Sequence, residues 1–398
     1  MIETIGFGAT KFSKSLKPKK FTRLVARDTD VELDLLYCGV CHSDIHQVKN
    51  EWSNTVYPCV PGHEIVGRVS RVGSEVKNFK VGDIAVVGCM VDSCGKCYSC
   101  VKGEEQYCES ESGCLLTYNG TNNPTGQNTY GGYSNHFVIK ENFLIKLPEN
   151  IPLEAAGPIV CAGVTTYSPL KHWGVSPGMK VGVVGLGGLG HMAVQIAVAM
   201  GAEVTVISSS KDKRADAIGF GAVKFILSTE KKEMEAAKSS LDFILNTIPE
   251  KHEFDGYLEL LHRDGVMVVV GVLEPMDKFN PQPLLMQRKT IAGSLIGSIA
   301  ETAEVLDFCS KNGIYPRVEI IEASELNEAY KKVEDKKARY RYVVDLASLN
   351  KEEIEKLDDI GEVSHLLPEQ DAPEYPLDRQ EFDPGFKKQG VHHSQYVL

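Results

Sequence analysis

The sequence predicts an α/β fold: a β-rich domain, a second domain on a doubly wound parallel sheet, and an acidic C-terminal tail. Three observations lead there. The first third of the chain is full of short alternating strands broken by Gly, Pro and Asn. From Lys180 onward, apolar strands alternate with helical stretches, the signature of βαβ units. Beyond Ser348 the composition turns acidic and poor in core residues. The expected division is 1–160 for the first domain, 161–295 for the parallel-sheet domain, 296–349 for a return to the first, and 350–398 for an extended or disordered tail.

Taken in order, residues 20 to 40 alternate apolar and polar, with a strand at Val31–Leu36. His63–Val72 and Val81–Val87 read as two more strands. Residues 116 to 132 are mostly turn formers and predict a long loop. Glu154–Tyr167 reads as a helix of small residues, followed by a buried strand at Lys180–Val184. Leu189–Met200 has helical period, and Glu203–Ile207, Asp242–Asn246 and Val266–Val270 continue the strand series. A helix at Ala300–Lys311 and a late strand at Arg341–Asp345 belong to the return segment. Asn350–Leu357 has the pattern of a helical turn or two.

Composition narrows the function. The 398 residues are too many for one compact core. A net charge of −11 argues against nucleic acid as the main partner. Lys351–Leu398 holds 12 acidic and 5 basic residues, so the body of the chain is nearly balanced. No apolar run approaches the roughly 18 residues needed to cross a bilayer. The N-terminus lacks the basic and apolar segments of a signal peptide. The count of 11 cysteines is odd, and four cluster at metal spacing, so a reduced, cytoplasmic protein is expected.

Chemistry concentrates in four places. Between Cys41 and Glu64, three side chains can bind a metal: Cys41, His46 and His63. An open catalytic zinc site needs three protein ligands and a free fourth position. The alternative is a buried cysteine with packed histidines. Cys94, Cys97, Cys100 and Cys108 suit a closed all-cysteine zinc site, which braces a loop and does no chemistry. Gly185-Leu186-Gly187-Gly188-Leu189-Gly190 follows a buried strand and opens a helix, the context of a dinucleotide-binding turn. At the end of the next strand an NAD site would place an acidic residue. Here stand Ser208, Ser209 and Ser210, then Lys211-Asp212-Lys213-Arg214, which suit a 2′-phosphate and so NADP(H). Asp212 lies beyond the strand, where solvation is expected.

On these residues the chain resembles the zinc-dependent medium-chain dehydrogenase/reductases, and more narrowly the cinnamyl alcohol dehydrogenase family. The resemblance rests on Gly39–Asp44, Pro61–Glu64, the four cysteines, Gly131–Ser134, Cys161-Ala162-Gly163, the glycine turn and Gly293–Ser298, and covers residues 5 to 347. It implies a GroES-like β domain interrupted by a Rossmann domain. It implies two zinc ions per chain, with the catalytic one on Cys41, His63 and Cys161. Glu64 would be an occasional fourth ligand, with Asp44 behind His63.

The resemblance further implies a proton relay from Ser43, where the family often has Thr, through ribose hydroxyls to His46. Cofactor contacts are expected from His42, Thr165, Thr247, Ser294, Ile296 and Arg341 as well as the glycine turn, Ser208–Ser210 and Lys213. Trp52 would form a wall of the substrate pocket. His191 would carry no catalytic duty. The implied activity is interconversion of primary alcohols and aldehydes, in a homodimer. The rival readings are an NAD-dependent polyol or formaldehyde dehydrogenase and an inactive NADPH binder. The tail after Ser348 departs from the family pattern.

Overall fold

The computed structural model describes residues 2–349 apart from 12–14, 121–127, 272–277 and 279. The tail and the expected turn at Asn350–Leu357 therefore lie outside the described residues, as does part of the loop predicted over 116–132. Among the described residues no helix is long and apolar enough to cross a membrane.

Among the described residues, two large sheets organise the molecule. The first has seven strands, and its hub is Asp30–Gly39, which pairs antiparallel with Ile65–Val72, His136–Lys140 and Arg341–Asp345. Alternation explains the pairing: Val31, Leu33 and Leu35 are buried, whereas Asp34 faces solvent. Ile84–Val87 and Ile145–Lys146 extend one side, and Val318–Glu322 pairs parallel with Arg341–Asp345 on the other. The late strand thus returns to the first sheet, as its position in the sequence predicted.

The second sheet has six strands, all parallel, in the order Lys224–Leu227, Glu203–Ser208, Lys180–Val184, Leu241–Asn246, Leu261–Val269, Thr290–Gly293. Val181, Val183, Val206, Phe243, Leu245 and Val268 are buried, as strands covered on both faces must be. The order reverses at Lys180–Val184, so a ligand crevice is expected at that strand's C-terminal end.

Several boundaries shift from the sequence reading. The second and third predicted strands begin later, at Ile65 and Ile84, because Pro61–Glu64 and Gly82–Asp83 form turns. The helix predicted over Glu154–Tyr167 is three pieces: Leu153–Pro158, a wider π turn at Ile159–Gly163, and Val164–His172. The hairpin of Ile2–Gly8 with Lys17–Arg23 and the helix Leu326–Glu334 were not predicted.

Candidate active site

Three distant segments meet beside the junction of the two sheets. Cys41 lies just past the hub strand and precedes the helix His42–Val48. His63 lies in the turn before Ile65–Val72. That turn requires Gly62, whose φ is +100° and whose Cβ would come 2.7 Å from the Tyr133 backbone nitrogen. Cys161 sits inside the π turn, a helix irregularity common at functional sites.

The sulfur atoms of Cys41 and Cys161 lie 3.9 Å apart, and His63 Nε2 lies 3.1 Å from Cys161 Sγ. With Glu64 included, one ligand atom from each of the four residues falls within 4.8 Å of the others, and all four residues are buried. Zn–S bonds of about 2.3 Å in a tetrahedron separate ligand atoms by about 3.5–3.8 Å, so the donor set fits a zinc ion closely. His46, equally eligible by residue type, points elsewhere: its Nδ1 pairs with Glu51 and its ring stacks on His42 at 4.6 Å.

Asp44 holds this arrangement together. Its carboxylate is fully buried and accepts four hydrogen bonds: from the Cys41 backbone N–H at 2.9 Å, the Gly62 N–H at 3.0 Å, His63 Nδ1 at 3.0 Å and the Tyr133 hydroxyl at 2.9 Å. The first of these is a helix capping interaction, so one side chain both starts the helix and orients the imidazole. Burial opposes a charged His63, but the Asp44 carboxylate outweighs it and raises the imidazole pKa well above its ordinary value. Within the sulfur pair, hydrogen bonding from Cys161 lowers the Cys41 thiol, and the same contact, with burial, pushes Cys161 up. A depressed thiol is the better metal ligand and nucleophile.

Glu64 is completely buried, and burial pushes its carboxyl up to about 7. Its nearest cation is Arg341, whose Nη1 lies 3.3 Å away. Arg341 also donates to the Val40 carbonyl at 3.1 Å and lies against the glycine turn, where a Cβ on Gly188 would meet its guanidinium carbon at 2.8 Å. This arginine therefore ties the buried cysteine–histidine cluster to the glycine turn.

The glycine turn occupies the expected crevice, between Lys180–Val184 and the helix Gly190–Ala199. A Cβ on Gly190 would lie 2.1 Å from the Gly185 carbonyl, so helix and strand approach as only glycine allows. Thr247 Oγ1 donates to the Val184 carbonyl at 2.8 Å, and Lys213 Nζ donates to the Leu186 carbonyl at 2.8 Å. Ser208 is buried at the strand end, its hydroxyl accepting from the Ser210 N–H at 3.2 Å, while Ser209 is exposed. Ser294 donates its backbone N–H to Val269 at 3.2 Å, Ile296 is buried beyond it, and Thr165 is buried on Val164–His172. Ser43 Oγ lies 3.7 Å from Cys41 Sγ, and the Trp52 ring is tilted 5.5 Å from that of His46.

The other four cysteines form a separate, partly exposed lobe. Cys94 and Cys100 sulfurs are 3.9 Å apart, and all four ligand atoms fall within 4.8 Å. Backbone N–H groups of Cys97, Glu109 and Cys94 point at the sulfurs of Cys94, Cys97 and Cys108 at 3.3, 3.3 and 3.5 Å. Those on Cys97, from Glu109 and Cys100, bring its thiol down to about 6. Amides aimed at sulfur stabilise thiolates, the form a metal needs.

Comparison with known proteins identifies the family. The family description "Alcohol dehydrogenase GroES-like domain" matches residues 27–149, and "Zinc-binding dehydrogenase" matches 188–311. The chain is 46% identical over 343 residues to NADP-dependent alcohol dehydrogenase C 1 of Mycolicibacterium smegmatis, covering 86% of this chain and 98% of that protein. It is 46% identical over 348 residues to aldehyde reductase YahK of Escherichia coli, covering 86% and 98%. A cinnamyl alcohol dehydrogenase structure from Sorghum bicolor superposes with a TM-score of 0.84 at 42% identity, covering 87% of this chain and 98% of that one. The chain belongs to the zinc-dependent medium-chain dehydrogenase/reductase family, on its cinnamyl alcohol dehydrogenase-like branch.

Two residues of this dehydrogenase escaped the sequence reading. Tyr133, fully buried, braces Asp44 through its hydroxyl. It lies in a Gly-Gly-Tyr-Ser turn whose composition says nothing of a target 89 positions away. Cys89 lies against Cys161, whose hydrogen bond lowers the Cys89 thiol. A solitary cysteine carries no spacing signal, so nothing in the sequence could have marked it. Asp212, expected to be solvated, is exposed but ion-paired with Arg339.

Proposed function

We propose that this alcohol dehydrogenase reduces aldehydes to primary alcohols, and runs the reverse reaction, with NADP(H) held on the glycine turn and zinc held by Cys41, His63 and Cys161. The observation that carries this reading is the convergence of those three ligands beside the glycine turn, with Arg341 touching both. Zinc at such a site polarises a carbonyl oxygen and the nicotinamide supplies hydride.

The chain's own residues do the rest. Cys41, held toward the thiolate, and His63, oriented by Asp44, fix the metal-facing geometry. Ser43, on the first turn of the same helix as His46 and with its Oγ 3.7 Å from Cys41 Sγ, would pass a proton to the substrate oxygen. His46, with Glu51 on its Nδ1, forms the outer end of that relay. Glu64, raised toward neutrality and facing Arg341, is the spare carboxylate that can approach the metal or withdraw from it. The lobe of Cys94, Cys97, Cys100 and Cys108 holds the second zinc and performs no chemistry.

We assign the bounds 1–160 and 296–349 to the catalytic domain and 161–295 to the cofactor domain. A homodimer in the cytoplasm is the accompanying reading. Thr290–Gly293 ends the parallel sheet with one described neighbour, and such an open edge favours pairing with a second copy. Trp52 and the segment around it form the pocket wall that selects the aldehyde.

The test is an initial-rate panel of aliphatic, aromatic and sugar-derived aldehydes with NADPH and with NADH, alongside metal analysis. Two zinc per chain and an NADPH preference are expected. One zinc and no turnover would favour the inactive binder, and an NADH preference the polyol or formaldehyde reading. Ser208→Asp should lower the NADPH preference in kcat/KM by at least about tenfold, because a carboxylate there repels phosphate.

A further inference from the structure

We propose that Arg339, from the return segment, reads the 2′-phosphate of the cofactor, and that Asp212 occupies its guanidinium until the phosphate arrives. The proposal rests on the NADP(H) reading above. It assigns a role to two residues that the serine-rich turn does not itself contain.

The turn after Glu203–Ser208 is crowded with cations. Lys213 is pinned to the Leu186 carbonyl at 2.8 Å, so its ammonium sits on the glycine turn. Burial lowers its pKa, and the Arg339 and Lys336 cations lower it further, so both reach this turn from the other domain. Asp212 answers that charge through its ion pair with Arg339 Nη2. Its side chain is 65% exposed, and an exposed ion pair contributes little and is easily exchanged.

Arg339 itself is incompletely satisfied. Its Nη1 is buried and has no hydrogen-bond partner among the described residues. Its Nε lies 3.9 Å from Asp216 Oδ2, too far for a hydrogen bond. Asp216 is already engaged by Arg317 Nη1 at 2.8 Å and the Tyr340 hydroxyl at 2.6 Å. A planar guanidinium with an unfilled buried donor, close enough to Lys213 to lower its pKa, matches the acceptor-rich oxygens of a phosphate monoester. A desolvated donor costs free energy until an acceptor reaches it, so phosphate gains more here than at an exposed lysine.

Position adds a consequence. Arg339 stands two residues before Arg341, which touches the glycine turn and Glu64. A phosphate held by Lys213 and Arg339 would therefore be gripped from both domains at once. NADH, lacking the phosphate, would leave Arg339 on Asp212.

The test measures binding by calorimetry, on the full-length zinc-loaded protein, of adenosine 2′,5′-bisphosphate and of 5′-AMP. Arg339→Gln should weaken the bisphosphate roughly 10- to 100-fold and leave 5′-AMP within about twofold. Asp212→Asn should tighten the bisphosphate about two- to fivefold, again without effect on 5′-AMP. Arg339→Lys should recover part of the loss. Equal weakening of both ligands by Arg339→Gln would mean a merely structural role and overturn the proposal, as would unchanged bisphosphate binding. If Arg339→Gln melts early, the opposite-signed effect of Asp212→Asn still decides, and its absence overturns the proposal. A wild-type protein that binds both ligands alike would refute the NADP(H) reading itself. Discrimination in the wild type that survives both substitutions would refute only the role of Arg339.

Discussion

The lobe of Cys94–Cys108 and the cluster of Cys41, His63 and Cys161 use the same donor chemistry in opposite surroundings. In the lobe, Cys94 and Cys108 are 14 positions apart, and backbone amides of neighbouring residues supply the support. In the buried cluster, Cys41 and Cys161 are 120 positions apart, and support comes from side chains: the Asp44 carboxylate, the Tyr133 hydroxyl and Arg341. The lobe is four cysteines with no carboxylate or histidine among its grouped side chains. The buried cluster is two thiols and an imidazole beside a carboxyl that burial pushes up to about 7 and that faces Arg341. A site that must bind and release needs such an adjustable member, whereas a brace does not.

Three substitutions and one truncation test that contrast, in descending order of effect. Cys161→Ala should lower kcat by about 10³-fold or more, since Lewis-acid polarisation contributes several kcal/mol. Metal content should fall from two zinc to one with little change in melting temperature. Undiminished turnover would remove Cys161 from the ligand set. Cys97→Ser should do the reverse, lowering the melting temperature by roughly 5–10 °C while the folded enzyme at low temperature keeps most of its kcat. A kcat loss as large as that of Cys161→Ala would erase the distinction between brace and reactor.

Asp44→Asn keeps the shape but removes the charge behind His63, and should cost about tenfold to a hundredfold in catalytic-zinc affinity or kcat. Titration with a competing chelator should show the loss at one of the two zinc ions, and equal loosening of both would contradict the separation. The smallest effect is expected from truncation after Leu349. Ser348 Oγ still accepts the Ala323 N–H, so specific activity should stay within about twofold. A larger loss in steady-state assays would make the acidic tail part of the enzyme's working surface.

Legibility in the sequence follows the same contrast. The lobe could be read from spacing alone, because its ligands are neighbours on one turn of chain. Lys180–Val184 and Arg341–Asp345 were predicted residue for residue, because a run of buried β-branched residues has one good solution in a sheet. The buried cluster was legible only as a list of eligible side chains. Cys41, His46 and His63 stood as equals by residue type, and family resemblance rather than spacing chose among them. The helix His42–Val48 carries His46 toward Glu51 and Trp52, while the Gly62 turn brings His63 to Cys161.

The two-sheet α/β architecture, the dinucleotide turn, the four-cysteine cluster and the serines in place of an acid at the strand end can all be read from the residues alone. All of these depend on short-range sterics, local hydrogen bonding and the period of burial. Tertiary structure decided which histidine meets Cys161, that Tyr133 and Gly62 share Asp44 with it, that Glu64 faces Arg341, and that Asp212 meets Arg339 across 127 positions. Those contacts are fixed by strand order and by the return of the chain to its first sheet. No local pattern encodes them, because each partner would look ordinary without the other.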